Sequence, residues 1–231
     1  RFQEGETVEI AVTNKLDRMT ALHWHGIILP YTQDGVPGIS FPGIRARETF
    51  VYEFPIKQSG TFWYHSHMGL QEQQGLAGPL ILESPDNDGL KYDREAVLFM
   101  EDRLTTDPEQ VLAALQGKPA PPVAQAAVTP PSQPVFPYPG GKMFGVDVQY
   151  GLFPLNGRLS DEPAVIDARP GEVLRLRILN ASASSYFLFN VQSHPLEVVA
   201  KDGNRTRPLP ADNILLATAE RYDALVRVGK P

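Results

Sequence analysis

The sequence predicts an all-β protein that consists of two tandem β-sandwich domains. Short segments with strand-like patterns recur along the chain, and turn residues separate them. The 231 residues include 22 prolines and 19 glycines, a density that favours short strands over long helices. This length suits one large domain or two domains of ordinary size. An internal repeat, described below, favours two.

The strand-like segments lie in both halves of the chain. In Thr7–Val12 every second residue is hydrophobic, which is the pattern of a strand with one face in a core. Further segments of this kind are Glu48–Phe54, Gly60–His65, Leu76–Leu82, Ala96–Met100, Val173–Leu179, Leu196–Ala200 and Tyr222–Val228. Regular short strands of this kind are typical of a sandwich or barrel.

One helix and one linker interrupt this pattern. Asp107 and Pro108 form an N-cap with proline at the first helical position, so we predict a helix that continues through Val111–Gln116. A proline-rich stretch near residues 117–141 follows, and we interpret it as an extended, irregular insertion. The polar cluster at residues 84–89 resembles a linker. We therefore place the two domains at residues 1–85 and 86–231.

The internal repeat relates the two halves. Gly5-Glu6 precedes an alternating strand that ends at Asn14, and Gly171-Glu172 precedes another that ends at Asn180 with identical spacing. A second echo is the Asp-Gly pair at residues 34–35 and at residues 202–203. Duplication of one fold explains the matched asparagines.

Composition excludes several classes of function. The formal net charge is -6, so the surface does not attract nucleic acid through phosphate contacts. The absence of cysteine rules out disulfides, a cysteine nucleophile, iron–sulfur clusters and cysteine-bound zinc. No apolar segment approaches the roughly 20 residues of a membrane span, and no signal peptide is visible. Because the chain begins at Arg1 against a strand pattern, we expect it to be part of a longer polypeptide.

Four of the five histidines form two His-x-His units, at residues 23–25 and 65–67. Residues i and i+2 of a strand point to one face, so each unit presents two imidazoles, with Trp24 or Ser66 on the opposite face. If the two strands are neighbours, four imidazoles converge, and imidazole binds copper, zinc, iron and nickel. The second repeat has no such pair near residues 187–190, so the fold itself does not require them. The predicted metal ligands are His23, His25, His65 and His67.

The segments around these histidines carry a family resemblance. They are Leu22-His23-Trp24-His25-Gly26, Gln33-Asp34-Gly35-Val36-Pro37 and Gly60-Thr61-Phe62-Trp63-Tyr64-His65-Ser66-His67. They resemble the first two copper motifs of the multicopper oxidases, a family that includes laccases, ascorbate oxidase, ferroxidases and bacterial copper-resistance oxidases. Further matches are residues 73–81, Asn156-Gly157, residues 170–182 and Glu220-Arg221-Tyr222-Asp223. The resemblance covers nearly the whole chain and is closest to the bacterial copper-resistance and laccase-like members.

The resemblance implies that both domains are cupredoxin-like Greek-key β-sandwiches and that copper is the cofactor. It implies that His23 binds a type-2 copper and that His25, His65 and His67 bind a type-3 pair, together forming a trinuclear cluster. Asp34 matches a family acid beside the cluster that tunes a bound water and helps to deliver protons to oxygen. The alternative for Asp34 is an ordinary Asp-Gly turn. The implied reaction couples one-electron oxidation of a reducing substrate to reduction of dioxygen to water, in the periplasm or outside the cell.

The chain also departs from the family pattern. It supplies only half of the cluster's histidines, and the others lie in a later cupredoxin domain with a His-Cys-His sequence that is absent here. A type-1 copper needs a cysteine thiolate, so this chain cannot form that site. We therefore expect the chain alone to be inactive as an oxidase. The reducing substrate, a phenol or a metal ion, stays open.

Two other interpretations stay open at this point. One is a mononuclear zinc or iron site that uses the first histidine pair, although the glutamate that cupins place after such a pair is absent from residues 26–32. The other is a copper-binding or structural module without oxidase activity. For the remaining candidates, Trp24, Trp63, Tyr64 and His194, we predict structural roles.

Overall fold

The computed structural model describes residues 1–118 and 148–229. Within these ranges the regular structure is mainly β-strand, and the one α-helix, α1, spans Pro108–Leu115. The strands are β1 Phe2–Gln3, β2 Thr7–Thr13, β3 His23–His25, β4 Thr49–Pro55, β5 Gly60–His65, β6 Ala77–Glu83, β7 Arg94–Met100, β8 Val173–Asn180, β9 Phe187–Phe189, β10 Leu196–Lys201, β11 Asn204–Ala211, β12 Ile214–Leu216 and β13 Arg221–Arg227. The predicted proline-rich insertion near residues 117–141 lies outside the described residues, apart from its first two.

Strands β1–β6 form the first sandwich. One sheet has the order β1-β6-β5-β3, and β2 pairs with β4 to form the other. The chain passes back and forth between the sheets, as in Greek-key sandwiches. Alternate residues face inward, so Val8, Tyr52 and Phe54 are buried against Trp24 and Phe62.

Strands β7–β13 form the second sandwich. Its larger sheet has the order β11-β10-β13-β8-β7, and β12 pairs with β9 in the smaller sheet. Strand β8 is buried along nearly its whole length because β7 and β13 flank it in the sheet. The two-sandwich prediction is thus confirmed. The exact boundary between the two domains, placed between residues 85 and 86, stays a prediction.

The internal repeat has a structural counterpart in both sandwiches. Gly5 and Gly171 have nearly the same left-handed backbone, with φ of 96° and 93°. Each asparagine at the end of the repeat, Asn14 or Asn180, donates from its side-chain amide to two backbone carbonyls. Each also accepts the backbone N–H of the residue two positions later. The matched asparagines therefore close the same turn in both copies.

The second echo of the repeat does not form the same turn in the two copies. Asp34 has a right-handed φ of -69° and ends a short 3-10 helical turn. Asp202 has a left-handed φ of 52° and lies in the tight turn between β10 and β11. Asp-Gly suits both turns because aspartate tolerates either conformation and glycine supplies the positive φ that follows. The dipeptide alone could not distinguish them.

The helix α1 begins as predicted. The Asp107 side chain accepts the backbone N–H of Glu109 at 2.8 Å, which satisfies one of the free donors of the first turn. Pro108 occupies the first helical position. None of the helical residues is buried, so α1 contributes little to either core. None of the helices in the described ranges is long and apolar enough to cross a membrane.

A buried ion cluster joins the two sandwiches. The Asp223 carboxylate accepts Arg175 Nε at 2.9 Å and Arg177 Nη1 at 3.1 Å, and all three residues are buried in the second sandwich. Its other oxygen accepts the Thr61 hydroxyl of β5 at 2.6 Å. Beside this cluster, Trp63 of β5 packs against an apolar group that includes Phe99 of β7. The strand that ends in His65 is therefore anchored to the second sandwich.

Candidate metal centre

The two histidine pairs meet because β3 and β5 are antiparallel neighbours. In the ladder His23 lies opposite His65, and His25 lies opposite Trp63. Strand β3 is the edge strand of its sheet, so the imidazoles project beside an open sheet margin. The predicted pairing of the two motif strands is therefore observed.

The second pair differs from the prediction in one respect. Strand β5 ends at His65, and Ser66 and His67 lie in the turn that follows. The expectation that both members lie on one strand is therefore wrong for His67. The Ser66 hydroxyl instead donates to Gln71 Oε1 at 2.8 Å, and this bond helps to fold the turn that carries His67 back toward the other histidines.

All four predicted ligands come together. The His23 ring centroid lies 5.7 Å from that of His25, 5.4 Å from His65 and 4.5 Å from His67. The His65 centroid lies 5.5 Å from His25 and 4.8 Å from His67. In His23, His65 and His67, one ring nitrogen of each lies within 4.8 Å of the others. Ring nitrogens of His23, His65 and His67 are therefore close enough together to bind one metal ion.

Two ring nitrogens face each other directly across the site. His25 Nδ1 lies 3.3 Å from His65 Nε2.

His194 lies outside the site. Its Nδ1 donates to the Gln192 carbonyl at 2.8 Å, and its Nε2 accepts the Gly229 N–H at 2.9 Å. Backbone groups thus occupy both nitrogens of His194, whose predicted structural role is supported.

Asp34 lies beside His23. His23 Nδ1 is 2.8 Å from the Asp34 carbonyl oxygen and 3.3 Å from its Oδ1 carboxylate oxygen. The shorter contact is made by the backbone, so the Nδ1–H of His23 donates mainly to the carbonyl. This bond leaves His23 Nε2 as the nitrogen with a lone pair for a metal.

Trp63 supports two of the histidines. Its ring stacks on His65 at a centroid distance of 4.2 Å and on His25 at 4.8 Å, with interplanar angles of 17° and 29°. Trp24 points to the opposite face of the sheet, where it packs edge-on against Tyr52 at 5.1 Å. Both tryptophans have the predicted packing role, but only Trp63 restricts the orientation of the imidazoles.

The surroundings favour the neutral imidazole in two of these residues, His25 and His67. Burial, followed by the nearby Arg221 cation and the neighbouring histidines, lowers the pKa of His25 to about 3. Burial and the His23 and His65 rings also lower the pKa of His67, while the Glu72 and Asp34 carboxylates oppose that shift. A neutral imidazole has the free lone pair that a metal ligand requires.

Two residues near the site were missed by the sequence prediction. The Glu72 Oε2 atom lies 2.7 Å from His65 Nδ1. Arg221 comes from β13 of the second sandwich, and its Nε donates to the Thr61 carbonyl at 3.2 Å. The rule that metal-binding histidines have carboxylate partners could have pointed to Glu72. Arg221 depends on domain packing, which a local pattern cannot reveal.

The donor set fits copper chemically. It consists of imidazole rings. Among the described residues, His25 Nδ1 and His65 Nε2 make hydrogen bonds only with each other. Imidazole ligands suit copper, zinc, iron and nickel, so geometry alone permits several metals. The relatives of the chain narrow this choice.

Comparison with known proteins gives a consistent result. Copper resistance protein A of Pseudomonas syringae pv. tomato is 37% identical over 98% of this chain. Multicopper oxidase MmcO of Mycobacterium tuberculosis is 31% identical over 98% of it. The chain spans 40% and 45% of the lengths of these two relatives.

The fold agrees with solved structures. The crystal structure of Fet3p, a multicopper oxidase that functions in iron import, matches with a TM-score of 0.78 at 22% identity. The match covers 100% of this chain and 39% of Fet3p, and it shows cupredoxin-like β-sandwich domains. Two family models described as multicopper oxidase match residues 1–87 and 97–231. Together these matches span nearly every residue of the sequence, and the chain belongs to the multicopper oxidase family.

Proposed function

We propose that this chain supplies half of the histidine ligands of a trinuclear copper site that reduces dioxygen to water. In this proposal His23 binds the type-2 copper, and His25, His65 and His67 bind the type-3 pair. The observation that carries it is the convergence of four imidazole rings from two neighbouring strands and one turn. Copper held there supplies one-electron redox chemistry toward dioxygen.

The residues of the chain prepare this site before any metal binds. Stacking on Trp63 restricts the rings of His25 and His65, so less side-chain freedom is lost when they bind a metal. The lowered pKa of His25 keeps its imidazole neutral at neutral pH. We propose that these two effects favour metal binding without local rearrangement.

Asp34 has a separate role in this proposal. Its Oδ1 lies 3.3 Å from His23 Nδ1, and the side chain is 35% exposed. A carboxylate that touches both solvent and a ligand is placed to hold a proton at Oδ1 and pass it inward. We therefore assign Asp34 to proton delivery during oxygen reduction.

The whole enzyme requires more than this chain. The chain has no cysteine, so a type-1 copper must be held by another cupredoxin domain, which would also supply the remaining histidines. We propose that this domain receives electrons from a phenol or a metal ion, and that the enzyme acts in the periplasm or outside the cell. By itself the chain would then be inactive as an oxidase.

Substitution of His65 tests the proposal. In the full-length protein we expect His65→Ala to lower the copper content and to reduce oxygen consumption to background, because His65 is central to the ring cluster. Copper is measured by mass spectrometry and dioxygen with an oxygen electrode. Circular dichroism verifies that the variant is folded.

His194→Ala is the matched control, since backbone groups occupy both ring nitrogens of His194. It should retain copper and activity. Unchanged copper and turnover in His65→Ala would refute the ligand assignment. One zinc or iron ion per wild-type chain, without copper, would instead favour a mononuclear metalloprotein.

A further inference from the structure

Glu72 is an acidic residue beside the histidine cluster that has no role in the proposed ligand set. Its Oε2 lies 2.7 Å from Nδ1 of His65. His65 is buried, and its Nδ1 makes no hydrogen bond with any of the described residues, so the contact with Glu72 is a close approach to a carboxylate oxygen. Glu72 is thus the acceptor within reach of a buried donor that otherwise lacks one.

The opposite side of the same ring faces the site. His65 Nε2 lies 3.3 Å from His25 Nδ1, and the Trp63 ring stacked at 4.2 Å limits rotation of the imidazole. A neutral imidazole carries its proton on one nitrogen and a lone pair on the other. If Nδ1 keeps the proton, Nε2 presents its lone pair toward His25 and the cluster.

The backbone that carries Glu72 is held in place. The Glu72 and Gln73 carbonyls each accept Arg103 Nη1 at 2.9 Å. The neighbouring Gln71 is buried, and its Oε1 accepts the Thr20 hydroxyl at 2.7 Å. These bonds fix the turn from both sandwiches, so the carboxylate starts from a defined position next to His65.

We propose that Glu72 is a positioning residue that holds His65 with its proton on Nδ1, so that Nε2 is the nitrogen available to the metal. This inference rests on the proposed function, because it assigns a purpose to a carboxylate beside one of the proposed copper ligands. A carboxylate behind a ligating imidazole fixes the ring orientation and increases its basicity. Glu72 does not itself contact the metal in this scheme.

The first test uses metal-free full-length protein with ¹⁵N-labelled histidine. Nuclear magnetic resonance of the ring nitrogens reports which one carries the proton. In the wild type we expect His65 to be protonated at Nδ1. In Glu72→Ala, which lacks the acceptor, the Nε2-protonated form should appear. A substitution that destabilises the protein but keeps the Glu72 carboxylate beside His65 should not produce the Nε2-protonated form.

The second test measures copper affinity by titration with copper ions. Loss of a partner behind a metal ligand lowers affinity by roughly 10–100-fold, and we expect a loss of this size in Glu72→Ala. Glu72→Gln keeps the size of the side chain and an oxygen acceptor but removes the charge, so its affinity should be intermediate. This isosteric variant also keeps the test decisive if Glu72→Ala does not fold.

Glu9→Gln is the control, since Glu9 is exposed on β2, in the sheet without histidines. It should leave the His65 tautomer and the copper affinity unchanged. Wild-type tautomer and affinity in both Glu72 variants would overturn the inference, even if His65→Ala loses copper. If the wild type itself binds no copper, the proposed function fails, and the tautomer measurement then decides the role of Glu72 separately.

Discussion

Asp34 reaches His23 through a backbone turn in which the next residue must be glycine. Gly35 has a left-handed φ of 77°, and a Cβ atom there would lie 1.8 Å from the Leu22 carbonyl oxygen. The turn therefore packs directly on the backbone that leads into the first histidine. This contact lets the Asp34 carbonyl accept the Nδ1–H of His23 at 2.8 Å. The orientation of one imidazole thus depends on the absence of a methyl group nearby.

Gly35→Ala should destabilise the protein more than Gly38→Ala does. Gly38 has a nearly identical φ of 76°, but a Cβ atom there would meet nothing within 4 Å. Gly38→Ala therefore costs only the backbone strain, roughly 1–2 kcal/mol. Gly35→Ala adds a clash with rigid backbone, which costs about 1–3 kcal/mol more. Urea unfolding of the full-length protein measures both, and equal losses would contradict the role of close packing.

Among the elements, β5 links the metal site to the second sandwich. Its last residue is His65, Trp63 stacks under two imidazoles, and Thr61 bonds to the buried ion cluster. Successive odd-numbered residues of one strand share a face, so the same side of β5 contacts the second sandwich and the histidines. Displacement of β5 would therefore move the site.

Thr61→Val should cost about 1–3 kcal/mol of stability, because it removes a hydroxyl that donates to the buried Asp223 carboxylate at 2.6 Å. The matched control is Thr13→Val, which removes an exposed hydroxyl bonded to Thr49 at 2.8 Å. Exposed substitutions of this kind usually change stability by less than about 0.5 kcal/mol. Chemical denaturation of both variants measures the difference. A similar small effect for both would show that the link from β5 to Asp223 adds little.

The sequence predicted those features of the elements that local patterns determine. Alternating hydrophobic residues located β2 and β8, and Asp107 marked the start of α1. The His-x-His spacing predicted two imidazoles per unit, but it placed His67 on a strand where the chain turns. That turn depends on the Gln71 side chain, whose partners include Thr20, 51 positions away in sequence. Contacts of this range depend on tertiary packing, and no local period encodes them.

At the scale of the whole molecule, the second sandwich supports a site to which it contributes none of the four clustered histidines. Arg221 bonds to the Thr61 carbonyl and lies over the Phe62 ring, with its guanidinium carbon 5.5 Å from the ring centroid. Arg103 holds the turn that carries Glu72. The duplicated domain has thus acquired a supporting role. Together with burial, its Arg221 cation also helps to keep the pKa of His25 low.

The Asp223 carboxylate is the centre of this coupling, and Asp223→Asn should weaken it. The substitution removes the buried charge that accepts bonds from Arg175 and Arg177, leaving both guanidinium groups less compensated. Loss of one partner from a buried ion pair typically costs about 3–5 kcal/mol. We expect a lower melting temperature and, because Thr61 loses its ionised partner, separate unfolding of the two sandwiches in scanning calorimetry. Asp212→Asn, at an exposed position, should leave the profile unchanged. A wild-type profile for Asp223→Asn would mean that apolar packing around Trp63 and Phe99 is sufficient to join the domains.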